Sequence, residues 1–139
     1  MNRGGGIVAD DLPMVDRIRR NADLVVSIAQ KQLGEELGYD EAGVRWLDGY
    51  IRRQHEQGNP ANHDGLVSTL GSYLGECIIR SFGGEWAEVD GSWCVRFHDR
   101  NAAYPFAKVG KQLEHGAEDS VLSFFTAIPV LFRARGGPG

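Results

Sequence analysis

The sequence contains no long apolar run, and this absence excludes membrane-spanning helices. A helix that crosses a bilayer needs roughly 18 or more successive apolar residues, and no stretch of the 139 residues approaches that length. The first residues, MNRGGGIVADD, also lack the apolar segment of a secretory signal. We therefore expect a cytoplasmic protein that binds no membrane.

Metal-binding spacings are missing as well. The two cysteines, Cys77 and Cys94, form no C-x-x-C pair, and the four histidines form no H-x-x-x-H pair. The stretch HEQGN at 55–59 begins like a zinc-protease motif but lacks its second histidine. We expect no metal and no cofactor, and two reduced cysteines that pack as small hydrophobic side chains.

Positive charge is scarce. The chain has 15 Lys and Arg residues against 19 Asp and Glu residues, which gives a net charge of −4 and a pI near 5.5. General nucleic-acid binding requires a cationic face that neutralises phosphates, so this balance argues against a nucleic-acid partner. The cluster of Arg17, Arg19 and Arg20 is interpreted as a solvated helix face.

What is present fits one globular domain. The length allows a core without disulfides, and the 42% hydrophobic and 24% charged contents are in the normal range. Glycine-rich segments stand at both ends of the sequence, where they offer few side chains to pack. We predict a flexible lead at 1–10, a single domain at 11–132 and a flexible tail at 133–139.

Apolar residues recur at helical spacing in three segments before residue 83. The first helix is predicted to have Asp11 as its cap and Pro13 in its first turn, and to end at Gly34 or Gly38. Asp40 caps the second helix, and the third extends from residue 63 or 64 to Phe82. The predicted inward residues are Val15, Ile18, Ala22, Val25, Ala29 and Leu33, then Val44, Leu47 and Ile51, then Leu66, Leu70, Leu74, Cys77 and Ile78.

A hairpin follows the three helices. Gly83 and Gly84 are predicted to give the helix its left-handed ending. Two β-prone runs then flank Asp90 and Gly91, a dipeptide that favours a two-residue type I′ turn. With that turn, one face carries Trp86, Trp93, Val95 and Phe97, and the other carries Ala87, Val89, Cys94 and Arg96. We expect the tryptophan face to lie on the helices.

The last third of the sequence predicts a short strand and two more helices. The segment AAYPF gives a third strand, Pro105 begins a helix, and a final helix begins near Asp119 or Ser120 and stops at Pro129. That helix is predicted to bury Val121, Phe124, Phe125 and Ile128. The fold class is therefore α+β, with a small antiparallel sheet (the β-hairpin plus a third strand) packed against about five helices.

No catalytic set can be assembled from neighbouring residues. Cys94 and His98 share a strand face but lie about 13 Å apart along an extended chain, too far for a nucleophile and its base. Glu76 and Glu85 are the only acids in a potentially concave region, and solvated or capping roles are assigned to both. We therefore expect a protein that is not an enzyme.

The second half of the chain resembles a known family. The runs LGSYLGECIIRSFGGEWAEVDGSWCVRF and YPFAKVGKQLEHGAEDSVLSFF resemble the bacterial domain of unknown function 3806, over about residues 45 to 126. The chain departs from the family at Gln112, where members tend to have arginine, and at Gly116, which follows His115 directly. The matching positions are Leu70, Gly71, Leu74, Gly75, Glu76, Gly84, Trp86, Pro105, Phe106 and Lys111.

The resemblance implies a compact bacterial domain without an established activity, cofactor or catalytic residue. Several such proteins resemble immunity or accessory proteins of bacterial toxin systems, which is an analogy at the level of the family. Together with the residue patterns, it predicts a protein-binding domain. The oligomeric state is left open.

The predicted partner-binding surface is the hairpin with the loop that follows it, because an exposed loop on a rigid hairpin suits recognition. Its residues are Arg96, His98, Asp99, Arg100 and Tyr104, of which the last four are called the polar corner here. The alternative is a small-molecule-binding domain or cryptic enzyme that uses the polar corner.

Overall fold

A computed structural model of the chain describes residues 13–58, 61–98 and 101–136, with side chains up to residue 132. It confirms an α+β fold in which helices surround a small antiparallel sheet. The elements are α1 (Met14–Leu33), α2 (Glu41–Glu56), α3 (His63–Phe82), β1 (Glu85–Val89), β2 (Ser92–Arg96), β3 (Ala102–Ala103), α4 (Pro105–His115), a 3₁₀ turn (Gly116–Asp119) and α5 (Val121–Gly136).

The first helix begins at Met14, two residues later than a cap at Asp11 predicts. Pro13 precedes the helix instead of lying in its first turn, and its carbonyl accepts a hydrogen bond from the Arg17 N–H at 3.1 Å. The predicted cap, Asp11, lies outside the described residues. The helix ends as predicted at Gly34, which adopts a left-handed φ of 69°.

The predicted inward residues of α1 are buried, or partly buried at Val15, with one exception. Ile18, Ala22, Val25 and Ala29 are buried, but Leu33 is 54% exposed. The prediction for Leu33 is wrong because this last residue of the helix lies where an apolar groove opens to solvent.

The second helix begins as predicted, since the Asp40 carboxylate accepts a hydrogen bond from the Gly43 N–H at 3.0 Å. Its inward residues Val44, Leu47 and Ile51 are fully buried. The third helix is the central element, because every residue from 70 to 78 is buried. It packs on α1, α2, α4 and the sheet.

Two glycines of α3 allow this close packing. A Cβ atom at Gly71 would overlap the ring of Phe106 on α4, and one at Gly75 would overlap the indole of Trp86 on β1. The spacing of these glycines is therefore explained by core packing.

The sheet has the order β1-β2-β3 and is antiparallel throughout. Asp90 and Gly91 both have positive φ, 52° and 82°, which confirms the predicted turn. Gly83 differs from its prediction, since its φ of 88° is positive but its ψ of −166° is extended rather than left-handed helical. This conformation leads the chain directly into β1.

The strand register pairs Trp86 with Val95 and Glu88 with Trp93. This places both tryptophans on one face, and Trp86 lies on α3 and α4 as predicted. Trp93 is only half-buried, because it is near the turn end of the hairpin. On the opposite face Cys94 is also fully buried, so the sheet is covered on both sides at its centre.

The final helix does not stop at Pro129. It continues to Gly136, with Pro129 inside it. A proline in a helix loses one backbone hydrogen bond, but the following turn is held by a contact between Phe132 and Phe97, whose ring centroids are 4.9 Å apart. Phe124, predicted to be buried, is half-buried.

Across the described residues, no helix combines the length and apolar character needed to span a membrane.

Candidate functional site

Of the polar corner, the structure describes His98 and Tyr104, and these two side chains line different depressions. Arg96 and His98 are exposed and line a depression of about 330 Å³ beside Phe82 and Glu85. Tyr104 is 41% exposed and lines a different cleft, between α1, α3 and α4. The other two members, at 99 and 100, lie outside the described residues. The alternative of a small-molecule site that uses all four residues therefore stays a prediction.

The interpretation of Glu76 as a solvated or capping acid is wrong. Its side chain is 4% exposed, and its carboxylate accepts hydrogen bonds from Trp86 Nε1 at 2.8 Å and Arg80 Nε at 3.2 Å. The Arg19 guanidinium lies 3.7 Å away. Glu85, in contrast, is exposed as expected. Sequence patterns missed this role because the donor from Trp86 comes from a different element.

The Glu76 network extends across the surface of the helices. The Arg80 guanidinium lies 3.8 Å from the ring centroid of Tyr39, and the Tyr39 hydroxyl donates to the Asp23 carboxylate. Burial and this hydrogen bond raise the pKa of Tyr39, so the hydroxyl stays a donor at neutral pH. Both Glu76 oxygens are engaged by donors. The network therefore joins α1, α3 and β1, and the Glu76 carboxylate serves this structural role rather than that of a general base.

A second buried carboxylate, Asp48, fixes the start of α5. It accepts hydrogen bonds from Ser120 Oγ at 2.6 Å and Gln112 Nε2 at 3.0 Å. Ser120 Oγ in turn accepts from the Ser123 N–H, and Gln112 Oε1 accepts from the Val121 N–H at 2.8 Å. Ser120 therefore caps α5, with its hydroxyl held between the Asp48 carboxylate and the Ser123 N–H.

A histidine–carboxylate pair lies on the surface of α4 and the 3₁₀ turn. His115 Nδ1 is 2.7 Å from Asp119 Oδ2, and Lys108 Nζ is 3.4 Å from Asp119 Oδ1. The hydrogen bond from His115 lowers the pKa of Asp119. Among the described residues, no hydroxyl or thiol bonds to this histidine, and no group of three His, Cys, Asp or Glu side chains could hold a metal.

Both cysteines are free and buried. Burial raises the pKa of the Cys77 thiol to about 12 and also raises that of Cys94. Because the thiolate is the reactive form, neither side chain is a nucleophile at neutral pH. Their predicted place in the apolar core is confirmed.

An apolar groove of about 220 Å³ lies between α1, α2 and α3. On α1 it is bordered by Leu24 and Ile28, which are 45% and 42% exposed, and by Leu33 at the helix end. On α2 it is bordered by Trp46 and Tyr50, whose rings stack at 5.4 Å. None of the residues that line the groove is charged.

The groove corresponds to a second apolar stripe on α1. Leu24 and Ile28 are four residues apart and therefore share one side of the helix, which differs from the side of the buried residues Ala22 and Val25. This i, i+4 pair was the available signal in the sequence. A single pair is a weak signal beside the longer stripe of Ile18, Ala22, Val25 and Ala29, which by itself accounts for an amphipathic helix.

The charged residues one helical turn from the two apolar rows of the groove are cations, whereas two acids, Glu35 and Glu36, follow Leu33 beyond the end of α1. On α1, Arg20 and Lys31 are the only charged residues that lie three or four positions, one helical turn, from Leu24 or Ile28. One turn from Trp46 and Tyr50, the only charged residue is Arg53, whose guanidinium lies 5.9 Å from the Tyr50 ring centroid. All three cations are exposed. An apolar groove with a cationic border thus lies on a protein of net negative charge.

Comparisons with protein families, with curated proteins and with solved structures gave no match to this chain.

Proposed function

We propose that the protein is a binding domain whose groove between α1, α2 and α3 receives an amphipathic helix of a partner protein. The observation that carries this proposal is the group of exposed apolar side chains on α1, with Leu24 and Ile28 on the second stripe and Leu33 at the helix end each more than 40% exposed, beside stacked Trp46 and Tyr50. Contiguous exposed apolar side chains mark interaction sites on soluble proteins more often than isolated ones.

The shape of the groove favours a helix over an extended strand. Its two apolar rows run along helices, with residues four apart on each side. An amphipathic helix presents anchors at the same spacing and can lay them between such rows. An extended peptide would instead require a free sheet edge, and the groove contains no strand.

The cationic border identifies the charge of the partner segment. Arg20, Lys31 and Arg53 stand beside the apolar rows, so acidic residues that flank the anchors of the partner would face them. Complementary charges of this kind raise the association rate and select among partners. The partner segment is therefore an acidic amphipathic helix.

Two synthetic helical peptides of about 18 residues, long enough to form helix, test the proposal. They share leucine anchors at i, i+4, i+7 and i+11 and differ only in glutamate or lysine flanks. The glutamate peptide is expected to bind at least about tenfold more tightly than the lysine peptide, with an affinity that falls as salt is added. Isothermal titration calorimetry measures both.

Substitutions locate the site. Ile28→Glu places a charge in the groove and should abolish peptide binding, whereas Val130→Glu changes a 71% exposed apolar residue of α5 and should not. The native partner should be retained by the wild type and by Val130→Glu, and lost by Ile28→Glu. Loss of binding in both variants, or in neither, would refute the groove as the interface.

The rival surface at the hairpin has its own variant. Reversal of Arg96 and Arg100 to glutamate leaves the groove intact, so partner binding should persist in this double variant. Binding lost only there would assign the interface to the hairpin. If the Ile28→Glu variant has a different molecular mass from the wild type in analytical ultracentrifugation, the groove is instead a site of self-association. An immunity or accessory role rests on the resemblance of residues 45–126 alone and stays a prediction.

A further inference from the structure

A second concavity, separate from the apolar groove, lies between α1, α3, the turn end of β2 and the start of α4. Its volume is about 530 Å³, within the range of small-ligand sites. It shares no lining residue with the groove. At one side of it, Asn21 Nδ2 donates a hydrogen bond to Ser68 Oγ at 3.4 Å, which joins α1 to α3.

One wall of this cleft is aromatic. Trp93 and Phe106 are half-buried and Tyr104 is 41% exposed, so each presents part of its ring to the cleft. The Phe106 ring is held by Trp86, with ring centroids 5.7 Å apart. A partly exposed aromatic wall on rigid elements offers a stacking surface to a planar ligand.

The helical side of the cleft carries one cation, Arg17, and the Ser68 hydroxyl among the apolar side chains of α1 and α3. Ser72 also borders it but is buried, and its hydroxyl donates to the Ser68 carbonyl at 2.7 Å. Because Asn21 meets Ser68 and Arg19 meets Glu76, α1 and α3 run antiparallel. Arg17 therefore lies toward the Ser72 end of the cleft. Within the described part of the chain, no carboxylate forms an ion pair with Arg17.

The second charged residue of the cleft, Asp64, stands at the other end. It precedes Ser72 on α3 by two helical turns, about 12 Å, and its side chain is fully exposed. The electrostatic potential is thus more positive at the Arg17 end than at the Asp64 end. An anionic group is favoured beside Arg17, whose planar guanidinium donates two parallel hydrogen bonds to a carboxylate or phosphate.

We propose that this cleft binds a small planar aromatic ligand with one anionic group, the ring against Trp93 and Tyr104 and the anion at Arg17. The proposal is independent of the groove, because it rests on a different set of residues.

The probes are 1-naphthoate, its neutral amide 1-naphthamide, and phenyl phosphate, followed by ¹⁵N–¹H NMR of the full chain. The acids are expected to shift the Trp93 indole N–H signal and the amide signals of Ser68 and Ser72, and to leave the Trp46 indole unchanged. The naphthoate Kd is expected to be about tenfold or more below that of the amide, the usual gain from a hydrogen bond to a charged group.

Two variants separate recognition of the anion from general binding. Arg17→Gln should remove the preference for naphthoate over naphthamide, and Arg17→Lys should retain part of it. The control is Arg45→Gln, since Arg45 is an exposed residue of α2 that pairs with Glu41 at 3.0 Å and does not line the cleft; it should retain the full preference.

Three results with the wild type would overturn the proposal. They are equal affinity of the wild type for acid and amide, shifts that centre on Trp46 instead of Trp93, and no shift with any probe up to about 5 mM, where even millimolar binding is visible. A preference that survives in folded Arg17→Gln would overturn it as well.

Discussion

The indole of Trp86 occupies the space that a side chain at Gly75 would need. The ring lies over the glycine on α3, and its Nε1 donates to Glu76, the next residue of the same helix, at 2.8 Å. One helix turn thus supplies both the cavity and the acceptor for this tryptophan. Both the position of the indole and its hydrogen bond to Glu76 require that Gly75 has no Cβ atom.

Gly75→Ala is therefore expected to destabilise the protein. Alanine improves helix propensity by up to about 1 kcal/mol, but the Cβ atom would displace a buried ring, at a cost of about 1–3 kcal/mol. The matched control is Gly110→Ala on α4, where the nearest atom would be Val67 Cγ2 at 3.8 Å; it should stabilise by about 0.5–1 kcal/mol. Urea denaturation of both variants measures the difference, and equal effects would contradict the close packing.

The three tryptophans should differ in their contribution to stability. Trp86→Ala is expected to cost about 3–5 kcal/mol, because Trp86 is buried. Trp93→Ala and Trp46→Ala should each cost about 1–2 kcal/mol, because half-exposed rings remove less apolar area from water. A Trp93 ring packed fully on the helices, as the sequence pattern predicts, would instead give the larger cost for this residue as well. Chemical denaturation of the three variants decides, and a near-neutral Trp86→Ala would refute the hairpin packing.

Glu76→Gln tests the buried carboxylate. The amide keeps the shape but turns an NH₂ group toward either Trp86 Nε1 or Arg80, so that two donors face each other. We expect a loss of about 1–3 kcal/mol in the free energy of unfolding. Glu85→Gln, nine residues along on β1 and exposed, should lie within about 0.5 kcal/mol of the wild type. The same small effect for both would show that the Glu76 network contributes no net stability.

Alkaline pH should weaken the fold. Burial raises the pKa of Cys77 from its ordinary value of 9.0 to about 12, and those of Tyr39 and Tyr73 are raised as well. Since these groups hold their protons more tightly in the folded state, their contribution to stability is complete below about pH 9. It is lost as the pH rises through the folded pKa values.

Urea midpoints at increasing pH from 7 upward check this, with a decline expected above about pH 9. The decline should be shallower in Tyr73→Phe, which lacks one of the three groups. In native protein at neutral pH, Cys77 and Cys94 should resist alkylation, and after unfolding both should react. Fast labelling of Cys77 in the native state, a disulfide in protein kept free of oxidant, or stoichiometric zinc would contradict the assignment of two inert core thiols.

The sequence by itself determined the order of the elements and most of their ends. The Asp40 cap, the Gly34 ending and the Asp90-Gly91 turn were readable because each acts on a backbone only a few residues away. The inward stripes of α2 and α3 were readable for a similar reason, since helical periodicity repeats within each element.

Tertiary structure decided what depends on distant neighbours. Glu76 became a buried acceptor through a donor ten residues away on a strand, and Asp48 through a glutamine 64 residues away. The helical turn after Pro129 is stabilised by the packing of Phe132 on Phe97, a contact that local sequence patterns do not predict. The second stripe of α1 forms a groove only because α2 and α3 lie beside it. The free energy of an apolar side chain depends on which neighbours cover it, and distant segments become neighbours only in the folded chain.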